Sequence, residues 1–154
     1  MQRRSVLGLS LVLSGLGLSA AAWAVDTAKL AGDWLAPAED ADDVDAVITL
    51  ALRGSSWTGT IKTIRVTRTD QKLRDDSLCT LCKGPQHGNP LKGMTILWDL
   101  RDGPDALSGG KILDPGDGAL YDCEMRLSAD GKTLKVLAYK GAKFLGHTMT
   151  WERL

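Results

Sequence analysis

Apolar and polar residues alternate along most of the chain after residue 31. Between residues 120 and 127, for example, apolar side chains at the odd positions alternate with charged side chains at 122, 124 and 126. Successive side chains of a β-strand point to opposite faces, so this pattern predicts strands with one buried and one wet face. It recurs in eight segments, near residues 32–36, 44–53, 57–66, 93–101, 107–113, 119–128, 133–140 and 144–153.

Glycine, aspartate and proline cluster between these segments, as at Asp130-Gly131, where both residue types tolerate the positive φ of a tight hairpin. Connections this short join antiparallel neighbours. Eight antiparallel strands can close into a barrel without exposed edges, filled by side chains or holding one small ligand. We therefore predict an all-β, eight-stranded antiparallel barrel, with a short helical lead-in over Val25–Leu30. The long polar segment 67–92 is expected to be a covering or functional loop.

The first 24 residues have the pattern of a secretory signal peptide. Arg3 and Arg4 precede an apolar stretch, and Ala22-Trp23-Ala24 forms a small-x-small cleavage signature. The sequence thus predicts a signal peptide at residues 1–24, a single domain at 25–154, and a periplasmic or secreted protein. The twin arginine leaves the export route open between the general secretory and twin-arginine pathways.

Composition excludes several functional classes. The chain is 44% hydrophobic and 25% charged, with 19 basic and 19 acidic residues, so bulk charge predicts no nucleic-acid partner. No second apolar run of about 18 residues follows residue 24, so we expect no membrane span. No nucleophile or acid–base motif is visible, and the hypothesis is a non-enzymatic monomer without a cofactor.

A glycine and a tryptophan begin the first predicted strand, and an arginine ends the last. Gly32-x-Trp34 resembles the signature of lipocalins and calycins, in which a basic side chain from the last strand stacks on that tryptophan. The resemblance implies that Arg153 lies across the Trp34 indole and closes the base of the barrel, a cation–π contact of about 0.5–2 kcal/mol.

A wider resemblance covers residues 32–153. It is carried by Cys79, Cys82, Lys83, Gly84, Asn89, Pro90, Gly93, Met94, Gly109, Gly110, Asp114, Pro115, Asp117, Gly118, Tyr121, Cys123, Leu134, Val136, Tyr139, Gly141, Leu145, Gly146, Thr148, Thr150, Trp151 and Arg153. Together they resemble the domain of unknown function 2147 family of small secreted bacterial proteins. The resemblance implies a lipocalin-like barrel and no known reaction. The chain departs from the family motif at Leu137, Ala138, His147 and Met149, where polar residues or glycine are expected. If the polar groups bind a ligand in relatives, a polar or anionic ligand is not expected here; if they are structural there, the interior of this barrel is more apolar.

Three cysteines allow at most one intramolecular disulfide in an oxidising compartment. We expect Cys123 to pair with Cys79 or Cys82 and to pin the long loop across the barrel mouth. Unpaired or locally paired thiols remain open. So does a redox pair at Cys79-x-x-Cys82, although the residues that follow break helices. A zinc or copper site from Cys79, Cys82, His87 and Cys123 is a further alternative.

Aromatic and thioether side chains lie mostly on the strand faces predicted to be buried. Such a set is either a packed core or the lining of an apolar pocket. The predicted pocket lining is Trp57, Met94, Trp98, Tyr121, Met125 and Tyr139. The functional hypothesis is an exported barrel that binds a small apolar or amphipathic molecule. The alternatives are a metal or redox module on the Cys-x-x-Cys loop and a structural or interaction protein of the cell envelope.

Overall fold

The computed structural model describes residues 26–38, 45–65 and 74–154. The predicted signal peptide lies outside these residues. The eight strands are β1 (Gly32–Ala36), β2 (Asp45–Arg53), β3 (Ser56–Arg65), β4 (Thr95–Asp102), β5 (Leu107–Asp114), β6 (Ala119–Leu127), β7 (Thr133–Tyr139) and β8 (His147–Arg153). Single 3₁₀ turns occupy Thr27–Lys29, Gly84–Gln86 and Lys143–Leu145. None of the helices in the described ranges is long and apolar enough to cross a bilayer.

Each strand pairs antiparallel with the next, and β8 pairs with β1, so the sheet closes into a barrel. This confirms the predicted fold class. The strand positions agree closely with the alternation pattern, except that β8 begins three residues later than predicted, because residues 143–145 form a 3₁₀ turn. The short helical lead-in is also present, as the turn at Thr27–Lys29.

The up-and-down topology gives the barrel two distinct ends. The base carries the N-terminal 3₁₀ turn and the connections β2–β3, β4–β5 and β6–β7. The mouth carries the other connections, including the long one between β3 and β4. Because directly opposed residues of paired strands share a face, the pairing registers show which side chains point inward.

Side chains fill the lower half of the barrel. Two inward-facing glycines lie directly against leucine side chains. A Cβ at Gly59 would lie 3.0 Å from the Leu97 Cβ, and one at Gly110 would lie 2.4 Å from the Leu100 Cγ. Leu97, Leu100 and Leu134 are completely buried. The described side chains of the base therefore form a close-packed core.

The alternation pattern predicts that Trp98 points into the barrel, and this prediction is wrong. The register places Trp98 opposite Lys111, Lys111 opposite Asp122, and Asp122 opposite Tyr139, so these four side chains form one row. The half-exposed ion pair between Lys111 and Asp122 identifies that row as the outer face. Asp99 has a φ of 61°, and this left-handed residue interrupts β4, so that Leu97 and Leu100 point inward instead of Trp98.

Trp34 and Arg153 close the base, as the lipocalin resemblance implies. The Arg153 guanidinium carbon lies 4.4 Å from the centroid of the Trp34 ring. Arg153 Nε donates to the Gly131 carbonyl at 2.9 Å, and Nη1 donates to the Ala31 carbonyl at 3.2 Å. The indole Nε1 of Trp34 donates to the Leu30 carbonyl at 2.9 Å. The predicted contact is thus confirmed, and it joins the first strand, the last strand and the β6–β7 turn.

We expect Arg153→Leu to lower the free energy of unfolding by about 2 kcal/mol, because it removes the cation–π contact and two hydrogen bonds to carbonyl oxygens. Urea unfolding measures the change. Arg126→Leu is the matched control, since Arg126 is exposed on β6 and should change stability by about 0.5 kcal/mol or less. Equal losses in the two variants would show that Arg153 is an ordinary surface residue.

Candidate ligand site at the barrel mouth

Residues 74–94, which precede β4, form a small excursion at the mouth. Its two arms pair through the Leu78–Pro90 bridge and through the Cys79 N–H, which donates to the Asn89 carbonyl at 2.8 Å. The tip reaches the β5–β6 turn, where a Cβ at Gly118 would lie 1.8 Å from the Leu81 carbonyl oxygen. Gly118 has a φ of 70°, so only glycine combines this backbone conformation with so close an approach.

The disulfide joins Cys79 to Cys82, with a Cα–Cα distance of 5.3 Å, and Cys123 is a buried free thiol. The predicted pairing of Cys123 with Cys79 or Cys82 is therefore wrong. Cys79 lies over the β5–β6 turn, with Sγ 4.0 Å from the Pro115 carbonyl oxygen. Cys123 lies five residues further along β6 than Gly118, about 16 Å at the rise of a strand, which is beyond the reach of a disulfide.

The four predicted metal ligands do not come together. Two of the thiols are consumed by the disulfide, and His87 is exposed, with Nδ1 3.0 Å from the Cys82 carbonyl oxygen. Within residues 26–38, 45–65 and 74–154, no group of three or more histidine, cysteine, aspartate or glutamate side chains is arranged to hold a metal ion. Burial raises the pKa of the Cys123 thiol to about 12, and the nearby Glu124 charge adds to the rise, so this thiol is neutral at physiological pH.

The mouth contains a shallow apolar cup. At this end, inward-facing side chains of five adjacent strands remain partly exposed. They are Ala36, Ala46, Tyr121, Ala138 and Met149. On the other side of the mouth, Ile61, Ile64 and Ile112 of β3 and β5 are buried. Among the described residues, inward-facing apolar side chains at the mouth are therefore less buried on the side of β6, β7, β8, β1 and β2 than on the side of β3 and β5.

The rim of the cup combines apolar and cationic groups. Tyr121 donates its hydroxyl hydrogen to Asp117 Oδ2 at 2.5 Å, and this bond raises the pKa of the phenol to about 12. Lys140 Nζ lies 4.5 Å from the centroid of the same ring. Beyond Lys140, in the β7–β8 connection, Phe144 and Leu145 are 86% and 74% exposed.

The predicted pocket residues separate into four groups. Tyr121 lines the cup, and Met125 faces inward below it, completely buried. Trp57 lies at the base, where its indole donates to Asp102 Oδ1 at 3.1 Å. Trp98 and Tyr139 lie on the outer face.

Met94 belongs to a different concavity. It lines an open depression of about 320 Å³ together with polar residues of the excursion such as Gln86, Asn89 and Lys92. Only Tyr121 of the six predicted residues therefore faces the cup directly. The alanines of the cup were not predicted as site residues, since alanine carries no chemical signature of a site. The alternation pattern does place them on the inward faces of their strands.

Asp75 anchors the excursion to β3. It accepts hydrogen bonds from the Ile64 backbone N–H at 2.6 Å and from the Thr63 hydroxyl, and it pairs with Lys92 at 3.0 Å. The Ile64 N–H, followed by Lys92 and Thr63, lowers the pKa of Asp75 from its ordinary value of 3.8 to about 2.

A carboxylate with a lowered pKa stabilises the folded state above its unfolded-state pKa, and this stabilisation is lost as the pH falls through the folded-state value. Asp75→Asn should therefore unfold more easily than wild type at pH 6, with the two stabilities converging between about pH 4 and pH 2. Denaturant unfolding across this range measures the difference. Asp76→Asn is the control, because Asp76 is the neighbouring exposed carboxylate. A constant offset at every pH would contradict this role.

We expect the unreduced native protein to show no reactive thiol at pH 8, because Cys123 is buried and its thiol pKa is raised. Unfolding without reductant should release one reactive thiol, and reduction should release all three cysteines of the chain. Thiol titration and peptide mapping measure both. A peptide in which Cys123 is cross-linked to either loop cysteine would refute this assignment.

Among solved structures, the fold is similar to one described as "Protein HP1028 from the human pathogen Helicobacter pylori belongs to the lipocalin family". The TM-score is 0.66, the sequence identity is 23%, and the alignment covers 81% of this chain and 82% of that chain. This similarity supports the lipocalin-like barrel. No curated protein matches the chain. Residues 32–153 match the family described as "Uncharacterized protein conserved in bacteria (DUF2147)", and because the match spans most of the chain, the protein belongs to the DUF2147 family.

Proposed function

We propose that the barrel binds a small apolar or amphipathic molecule in the mouth cup. One observation supports this proposal: inward-facing leucines such as Leu50, Leu97, Leu100 and Leu134 are buried inside the barrel, but the inward-facing apolar side chains of five adjacent strands at the mouth remain partly exposed. When a ligand covers exposed apolar surface in a concavity, binding is favoured by about 25 cal/mol for each Å² removed from water. Because leucines fill the base, the ligand would occupy only the upper part of the barrel.

The chemistry of the cup favours an apolar ligand with limited polar character. Three of the four positions at which the chain departs from the family motif, Ala138, His147 and Met149, face inward at this end. Two of them are apolar, and Lys140 and the Tyr121 hydroxyl supply polar groups at the rim. The pattern of residues 1–24 favours export, so the ligand would be met in the periplasm or outside the cell.

The proposed role is binding rather than catalysis. The Cys123 thiol and the Tyr121 phenol, both near the cup, are poorly suited to act as nucleophiles, since their pKa values are raised to about 12. Native mass spectrometry of the protein purified from its own host would identify a resident ligand directly.

A large side chain in the cup should weaken binding. Ala46 faces inward opposite Ala36 and Ile64, so Ala46→Phe should weaken binding of the neutral dye N-phenyl-1-naphthylamine at least about tenfold, measured by fluorescence titration. Ala51→Phe is the matched control. Ala51 lies on the same strand, is also partly exposed and points outward opposite Thr58. Unchanged dye affinity in Ala46→Phe, or equal losses in both variants, would remove the cup as the site.

A further inference from the structure

The two most exposed large apolar side chains that the structure describes are neighbours in the chain. Phe144 and Leu145 belong to the 3₁₀ turn in the β7–β8 connection, and they are 86% and 74% exposed. No residue of this turn is buried, so neither side chain contributes to the core. Exposed apolar side chains that lie together, unlike ones scattered singly, mark interaction surfaces.

The turn is held in place by contacts that do not involve these two side chains. The Gly146 N–H donates to the Lys143 carbonyl at 3.0 Å, and Lys143 Nζ pairs with Glu124 Oε1 on β6. A Cβ at Gly146 would lie 2.7 Å from the Tyr139 Cβ, so the backbone of the turn packs closely on the end of β7. The fold thus anchors the turn while its two apolar side chains remain in water.

The surroundings of the turn are basic. Residues 131–151 contain four lysines and one histidine but no aspartate or glutamate. Of these lysines, Lys140 and Lys143 lie in the β7–β8 connection. Each ammonium group has three hydrogen-bond donors, so both can bind anionic groups in addition to their contacts within the protein. Acidic residues at this end of the barrel belong to other connections, the β5–β6 turn and residues 39–43.

Two further exposed leucines lie at the same end of the barrel. Leu81, at the tip of the excursion, and Leu120, near the start of β6, are both about half exposed. A protein partner would need a surface matched in shape to all of these positions. A fluid bilayer takes up separate apolar side chains at the boundary between its head groups and acyl chains without a matching shape. The phosphate groups of anionic lipids also complement the lysines.

We propose that the β7–β8 connection docks the protein on a bilayer that contains anionic lipids. Phe144 and Leu145 enter the interfacial region, and Lys140 and Lys143 contact lipid phosphates. The formal net charge of the whole chain is zero, so the attraction depends on this local group of lysines rather than on bulk charge. The inference goes beyond the binding function proposed above and stands whether or not the cup holds a ligand.

Flotation with vesicles tests the apolar contribution. Wild type isolated from its own host should bind vesicles of phosphatidylethanolamine and phosphatidylglycerol at least about fivefold more tightly than vesicles of phosphatidylcholine, which carry no net charge. The double variant Phe144→Ser, Leu145→Ser should lose at least about tenfold in affinity for the anionic vesicles. Leu52→Ser is the matched control and should bind within about twofold of wild type, because Leu52 is an exposed leucine at the base.

A pair of lysine variants tests the contribution of charge. Lys140→Gln should weaken binding to the anionic vesicles about threefold, and raising the salt concentration should remove this difference. Lys132→Gln is the control and should not weaken binding, because Lys132 is an exposed lysine of the same acid-free stretch but lies in the β6–β7 turn at the base. Mass spectrometry checks that every variant has the same N-terminus, so that residues 1–24 contribute equally.

A second readout follows the turn itself. Phe144→Trp should keep its affinity within about twofold, and brominated lipids should quench its fluorescence more strongly than that of wild type. Absence of wild-type binding to the anionic vesicles, or equal binding by wild type and the double serine variant, would overturn the inference. A wild type that sediments as a dimer and a double variant that sediments as a monomer would also overturn it, since the turn would then be a contact between two copies of the chain.

Discussion

Closure of the sheet is the constraint on which the rest of the molecule depends. The seam between β1 and β8 is short, with Trp34 opposite Arg153 and Leu35 opposite Glu152. An open eight-stranded sheet would leave two unpaired edges and an apolar face in water. The stacked indole and guanidinium therefore reinforce the seam where few backbone pairs exist. They also tie it to the β6–β7 turn through the Gly131 carbonyl.

Closure at one end determines what the other end can do. Bulky side chains converge on the base, and glycines at positions 59 and 110 make room for the leucines that fill it. At the mouth, alanines take the inward positions of β1, β2 and β7, and their small side chains occupy less of the interior than the leucines do. The excursion covers the mouth on one side and is held by Asp75. The result is a cup lined by apolar side chains.

Much of this architecture could be predicted from the sequence, because strand alternation and turn residues are local signals. The contact between Trp34 and Arg153 was also accessible, through a family signature. Trp98 was predicted to face inward, but the left-handed residue Asp99 interrupts β4 and changes which of its side chains face the interior. The alternation of apolar and polar residues alone does not reveal such an interruption. The disulfide was mispaired because the choice depends on how far the excursion reaches, which is a tertiary property.

The candidate site was less predictable than the fold for a related reason. Large aromatic residues attract attention in a sequence, but in this barrel Trp57 stabilises the base and Tyr139 lies on the outer face. The cup is shaped by small residues whose importance lies in the space that they leave.

The beginning of β1 and the end of β8 lie side by side, with the Leu154 N–H donating to the Asp33 carbonyl at 3.1 Å. Both are at the base, opposite the cup. A short peptide could therefore join them in a circular permutant, and the chain could be opened instead at the β4–β5 turn, also at the base, with the order of the eight strands around the barrel unchanged. For the same reason, a surface tether attached after residue 154 would hold the protein with its mouth facing the solution.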